Sequence, residues 1–393
     1  VRRAWAAVVF SLGFFALVAQ ALLFRSFLAS FEGNELGIGA FFGSWLLWVA
    51  AGAVLGRAVA RRYELWPRHV ALLALLYLPA FVLQDWLIVS ARAIAGVAAY
   101  ELFPLHRMVL VSLLANAPTS LMTGLLFTTA CRCSAEEAEL PVARVYVLES
   151  LGAFAGGIFV TMLLASGSSA PSVFLRAGVL LALATALCLR TCRIRVRLRT
   201  AGAVPLVALL LLLVTGVDLA WADARDRATW RRLLADEAYR GSFTTAQGKY
   251  LYGEREGQFI VMAWGAVTET LPDAEHASEV AALALAQNPK ARRALVIGPG
   301  SLAVCLRLAA FPQIERVAWF HPDPEYPHAL WPVVPERFRA GRAKLEIPEG
   351  DVRAALASGA REHDLIVLDL PDVTTLVLNR YTTREFFALL KGA

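Results

Sequence analysis

The most constraining feature of this chain is where its charges are missing. Before Trp221 the sequence is a series of apolar runs of membrane-spanning length, broken by short charged stretches; after Ala222 a charge arrives every few residues and apolar runs shrink to strand length. Hydrocarbon offers no partner to a free backbone amide, so a run of roughly 20 apolar residues that crosses a bilayer does so as a helix. A composition of 58% hydrophobic and 18% charged over 393 residues fits that division, being too apolar for two water-soluble domains. The pattern predicts an all-α transmembrane bundle over 1–220, a linker over 221–240, a small antiparallel β-unit over 241–272 and an α/β domain over 273–393.

About seven spans are expected in the lipid bilayer, at 5–27, 38–56, 69–90, 108–130, 145–165, 172–189 and 201–220. The stretch from Trp86 to Phe103, with Arg92 and Glu101, reads as an interfacial helix. No small-residue cleavage site follows the first span, which argues against a removable signal peptide. Arg2 and Arg3 precede span one, Arg57, Arg61, Arg62 and Arg68 follow span two, and Arg190, Arg193, Arg195, Arg197 and Arg199 follow span six, so all three clusters agree on one cytoplasmic side. An odd number of spans then puts the α/β domain outside the cytoplasm, whereas Arg225, Arg227, Arg231 and Arg232 after span seven pull the other way. Gly152 and Gly156 mark either ordinary bundle packing, the commoner case, or a dimer contact. Glu149, Asn116 and Arg176 are the polar residues that lipid would penalise; the two charged ones fall near span ends, where snorkelling lowers the cost, and no ion pathway is predicted. Cys131 with Cys133 and Cys188 with Cys192 lack zinc-knuckle spacing, so no metal site is predicted. The net charge of +6 resides largely in membrane-flanking arginines, which leaves no case for nucleic acid.

In the second part, Gly248 to Leu271 alternates apolar and polar residues around glycine turns, as antiparallel strands do. Asp273 to Gln287 reads as an amphipathic helix that Asp273 caps. The strand Ala294-Leu295-Val296-Ile297 then enters a turn, Gly298-Pro299-Gly300-Ser301, and a helix. Val317 to Phe320, Lys344 to Ile347 and Asp364 to Leu370 continue an alternation of strand and helix that implies a parallel sheet covered on both faces. Ligands of such sheets bind at the carboxyl ends of the strands. That rule selects Gly298 to Ser301, His321 to Asp323, Gly350-Asp351 and Asp369 to Asp372. Asp351, Asp369 and Asp372 would converge on one crevice, or Asp351 and Asp372 serve as helix and turn caps.

The string from Asp364 to Asp372 (D-L-I-V-L-D-L-P-D) with Thr374-Thr375, then Leu378-Asn379-Arg380 and Thr383-Arg384-Glu385-Phe386-Phe387, resembles the spermidine synthase family of aminopropyltransferases. The resemblance runs from about Gly241 onward, and 117–124 with 145–153 resemble the membrane-fused bacterial form, whose helices are similar to a major-facilitator half. It implies a Rossmann-like domain of the class I methyltransferase type, in the bacterial inner membrane. It also implies transfer of an aminopropyl group from decarboxylated S-adenosylmethionine, the co-substrate, to a polyamine. Asp369 matches the family's base, Asp372 its diamine anchor and Asp351 its adenine contact. Asp273 and Glu279 keep two acidic positions of the family's D-E-x-x-Y-H-E, while Gly298, Gly300, Ser301, His321 and Asp323 occupy its nucleoside-binding positions.

The departures are equally specific. Thr268 stands for the family's substrate Gln; Ala277 and Ser278 replace its Tyr and His; Ser301 stands where its glycine turn carries Asp; His321 replaces the acidic residue that holds the ribose. Each charged hydrogen bond lost costs on the order of 1.5–3 kcal/mol. Two readings follow: a divergent, catalytically altered or non-catalytic relative serving as an interaction or ligand-binding module, or an active aminopropyltransferase with Asp369 as base. Strand Asp364 to Leu370 would be left as an open sheet edge, so a longer natural chain, a protein partner or a second copy is expected to cover it.

Overall fold

The computed structural model describes residues 2–31, 35–98, 101, 103–135, 140–192, 196–245, 247–263, 265–357, 363–371 and 376–392. The chain divides into two compact units, Val1–Arg225 and Asp226–Ala393.

The first unit is helical: α1 (Arg2–Ser30), α2 (Glu35–Arg62), α3 (Pro67–Ala74), α4 (Tyr77–Val89), α5 (Ala91–Ala95), α6 (Leu105–Ala115), α7 (Ala117–Ser134), α8 (Pro141–Ala165), α9 (Ala170–Thr191), α10 (Val196–Val214) and α11 (Val217–Trp230), whose last residues belong to the second unit. Among the described residues, five stretches are long and apolar enough to cross a membrane: α1, α2 from Leu36, the run Pro67–Val89, α8 and α9. There are up to seven if the bent pairs α6 with α7 (46°) and Gly202–Val214 with α11 (69°) each count as one. This is compatible with an integral membrane protein.

The bends have identifiable causes. Pro118, at the start of α7, removes a backbone donor and crowds the preceding turn. The freed groups find buried partners: Thr119 N–H donates to Gln84 Oε1 (2.8 Å), Gln84 Nε2 to Asn116 Oδ1 (3.0 Å) and Asn116 Nδ2 to Ser44 Oγ (2.7 Å). Asn116 is therefore buried among polar partners and faces no lipid. Between α10 and α11, Gly216 takes the left-handed conformation (φ 71°) that ends one helix, and Asp218 sits in the first turn of the next. The span expected over 201–220 is thus broken, and the stretch read as a linker over 221–240 is helical as far as Trp230.

One more expectation changes. The segment from Trp86 to Phe103 is no single interfacial helix: α4 runs to Val89, α5 is a short helix ended by Gly96 (φ 62°), and Arg92 Nη1 ties the loop through the carbonyls of Ala98 (3.1 Å) and Glu101 (3.0 Å). Glu149 is half-buried on α8, which begins at Pro141. Gly152 and Gly156 pack against the backbone of Phe10 and Phe14 in α1, so they serve a crossing inside the bundle. Arg225 pairs with Asp85 (2.9 Å) and donates to Ser26 Oγ (3.1 Å).

The second unit opens with β1 (Tyr239–Thr244), β2 (Lys249–Arg255), β3 (Gln258–Ala263) and β4 (Ala266–Leu271), an antiparallel sheet in sequential order. There follow α12 (Ala274–Gln287), β5 (Arg293–Ile297), α13 (Leu302–Ala309), β6 (Arg316–Phe320), α14 (Tyr326–Leu330), β7 (Leu345–Glu346), α15 (Val352–Ala357), β8 (Leu365–Leu368), α16 (Leu376–Asn379) and α17 (Arg384–Leu390). The second sheet is parallel, ordered β7-β6-β5-β8. Among the described residues β8 pairs with β5 alone and so lies at the edge.

After their exposed first residues, Arg293 and Arg316, β5 and β6 are wholly apolar because both faces are covered. Val296, Val317 and Trp319 face a core shared with α12, α13 and the antiparallel sheet, whereas Leu295, Ile297, Ala318 and Phe320 pack with Val352, Leu356 and Phe386 on the other side. The far face of the antiparallel sheet buries Leu251, Ile260 and Met262 around Trp230.

Candidate functional site

The carboxyl ends of β5 and β8, neighbours in the parallel sheet, bring the glycine turn and Asp369 together. The turn is stitched in place: Gly298 N–H donates to Phe320 O (3.1 Å), Trp319 Nε1 donates to Gly298 O (3.1 Å), and Asp369 N–H donates to Ile297 O (2.9 Å). A side chain on Gly298 would collide with the Asp369 carbonyl, and one on Gly300 (φ 72°) with the Thr268 carbonyl. Thr268 reaches that position because it is a bulge in β4: Val261 pairs with Glu269 and Met262 with Val267, which leaves Thr268 out of the ladder. Its hydroxyl donates back to Val261 O (3.3 Å). Both glycines are thus required by close backbone approach within the protein itself. Ser301 is fully buried, its Oγ 3.4 Å from Asp369 O.

Asp369 Oδ1 lies 3.1 Å from Nε2 of His276, with side-chain exposures of 16% and 49%. An ionised carboxylate only accepts, so the imidazole supplies the proton of this bond. Asp273 sets the geometry, since it caps α12 by accepting from His276 N–H (3.3 Å) and so fixes the turn that carries the imidazole. Glu279 is exposed further along the same helix. A carboxylate with an imidazole partner can accept, hold or return a proton at the carboxyl end of β8.

The other expected contacts are committed elsewhere. Asp323 is buried; its Oδ2 accepts from Thr245 Oγ1 (2.6 Å) and Tyr250 Oη (2.8 Å), and its Oδ1 from Glu325 N–H (3.2 Å). It ties the antiparallel sheet to the loop after β6. His321 Nδ1 lies 2.9 Å from both the N–H and the carbonyl oxygen of Asp323, and the ring stacks on Tyr326 at 4.1 Å. Burial pushes its pKa down to about 4. Asp351 accepts from Arg353 N–H (2.8 Å) at the start of α15 and pairs with Arg380 (2.7 Å). Asp372 lies outside the described residues.

Two groups at this end of the sheet were not singled out by the sequence. Glu269, 2% exposed, points inward from β4, and neither of its carboxyl oxygens makes a hydrogen bond; the Tyr326 hydroxyl, also buried, makes none either. Burial pushes the Glu269 carboxyl well above its usual range; the amides of Ala303 and Leu302, facing it without reaching hydrogen-bond geometry, pull it down, and nearby Asp369 and Asp273 push it up. The signal was present in alternation, because Glu269 and Leu271 share the inward face of β4. His276, the partner of Asp369, had no comparable signal, since the pairing spans 93 residues.

No family model matches the chain, and no curated protein matches it.

Proposed function

We propose that this chain is a membrane-anchored protein whose C-terminal unit keeps a Rossmann-like, spermidine synthase-like frame while having given up aminopropyl transfer, and that the unit works as a ligand-binding or assembly module. The frame is supported by the parallel order β7-β6-β5-β8, which corresponds to the 3-2-1-4 half of doubly wound sheets. The observation that carries the functional reading is the internal commitment of Asp323 and Asp351. A nucleoside sulfonium needs free carboxylates for its ribose and adenine, and these two already serve Thr245, Tyr250 and Arg380. The edge strand β8 is the natural place for a partner or a second copy to add. The basic clusters flanking the helices favour an extracytoplasmic C-terminal unit, and the engagement of Arg225 with Asp85 weakens the opposing signal after the last span.

The test is calorimetric titration of the detergent-solubilised protein with decarboxylated S-adenosylmethionine and with methylthioadenosine. No binding is expected at millimolar ligand. Tight binding that Asp351→Ala abolishes would overturn the proposal and favour the second reading, an aminopropyltransferase with Asp369 as base. That alternative has one observation of its own: the His276–Asp369 contact at the strand end, where a proton acceptor would stand.

A further inference from the structure

Three buried polar atoms of this unit make no hydrogen bond: both carboxyl oxygens of Glu269 and the hydroxyl of Tyr326. Among the described residues the titratable groups facing Glu269 are Asp369 after β8, Asp273 at the head of α12, Cys305 on α13 and Tyr326 on α14. None is a cation. His276, the basic partner of Asp369, is exposed. An ionised, unpaired carboxylate here would lack hydration and face two other carboxylates, an arrangement that costs several kcal/mol. A neutral carboxylic acid avoids that cost. The residue beside Glu269 is the bulged Thr268, whose carbonyl covers Gly300, so Glu269 adjoins the segment that closes over the glycine turn.

We infer that Glu269 is a proton-operated fastener: protonated, it lets β4 lie closed over the glycine turn 298–301, and on losing its proton it draws β4 away and uncovers the turn and the crevice beneath. This does not rest on the transferase or module readings above. Its sign follows from linkage. The closed state holds one proton more than the open state, so the open population grows about tenfold per pH unit above the ordinary carboxyl value of 4.5, levelling off once the closed-state carboxyl itself ionises. The uncovered turn offers the backbone amides at the head of α13, hidden in the closed state.

Hydrogen–deuterium exchange of the full chain in detergent or nanodiscs, corrected for the intrinsic pH dependence of amide exchange, reads this population directly. Peptides covering 266–271 and 298–303 are expected to show opening that rises about tenfold per pH unit, while peptides from the far face of the parallel sheet show no slope. Glu269→Gln removes the slope, and Glu269→Met, apolar and of similar length, replaces it should the amide variant not fold. Tyr326→Phe and His276→Asn keep it. A flat wild-type profile overturns the inference, as does a slope that survives the loss of the Glu269 carboxyl or one that disappears in His276→Asn, which would move the titration to the Asp369 pair.

Discussion

His321 is the residue whose chemistry this fold changes in the most measurable way. Its Nδ1 sits against the backbone of Asp323, and burial lowers its pKa from 6.5 to about 4 although that backbone contact and the Asp323 charge favour the protonated ring. The fold therefore prefers the neutral ring. The stabilisation is intact above 6.5 and drains as pH falls through the window down to about 4, on the order of 3 kcal/mol in all. Glu269 has the opposite sign, gaining stability as pH falls, so the raw acid profile mixes the two. The difference in melting temperature between wild type and His321→Asn, followed from pH 7 downward, should shrink on acidification; a constant difference would contradict the assignment. At this scale the sequence was informative where a local rule applies. Asp273 and Asp351 cap the helices they precede, as their positions suggested. It was silent where the partner is remote: nothing in the neighbourhood of Asp323 announces Thr245, and nothing near Asp351 announces Arg380.

Among the elements, helix crossings in the first unit depend on glycines at backbone contacts. Gly52 faces the Leu121 carbonyl, Gly124 the Val49 carbonyl, Gly13 that of Glu149 and Gly152 that of Phe10. Added methyl groups at these points push two backbones apart, and in lipid close packing supplies much of the association. Gly43 in α2 has open space around its would-be Cβ. Gly124→Ala should therefore destabilise the detergent-solubilised protein by about 1–3 kcal/mol, while Gly43→Ala is neutral or slightly stabilising through helix propensity. Equal melting temperatures for the two variants would count against this packing. Hydropathy located each long helix because lipid demands length and apolarity in one continuous run. It missed the bends, since Pro118 and Gly216 act through backbone geometry that an average over apolarity does not register. The β4 bulge escaped for a related reason: an extra residue in a strand leaves the apolar count unchanged while turning the next side chain to the other face.

At the level of the whole chain, the proposed orientation has a direct readout. A periplasm-active phosphatase fused after Ala393 should be active and a cytoplasm-fluorescent reporter dark, as an odd number of crossings requires; the reverse result would mean that one bent pair does not cross. The division into a helical and a sheet-containing part was legible because the density of charge changes abruptly near residue 221, but the structural boundary was not. It falls at Asp226, inside α11. Trp230, on the last turn of that helix, is wholly enclosed by the antiparallel sheet, donates from its indole to Ala235 O (2.9 Å), and has Asp226 one turn before it paired with Lys249 (2.6 Å). The sheet cannot be lifted out from its first strand onward without leaving an indole-shaped hole in its underside. Anyone cutting the protein at residue 241 should expect a sticky, half-clothed fragment, and the scissors belong upstream, within α11.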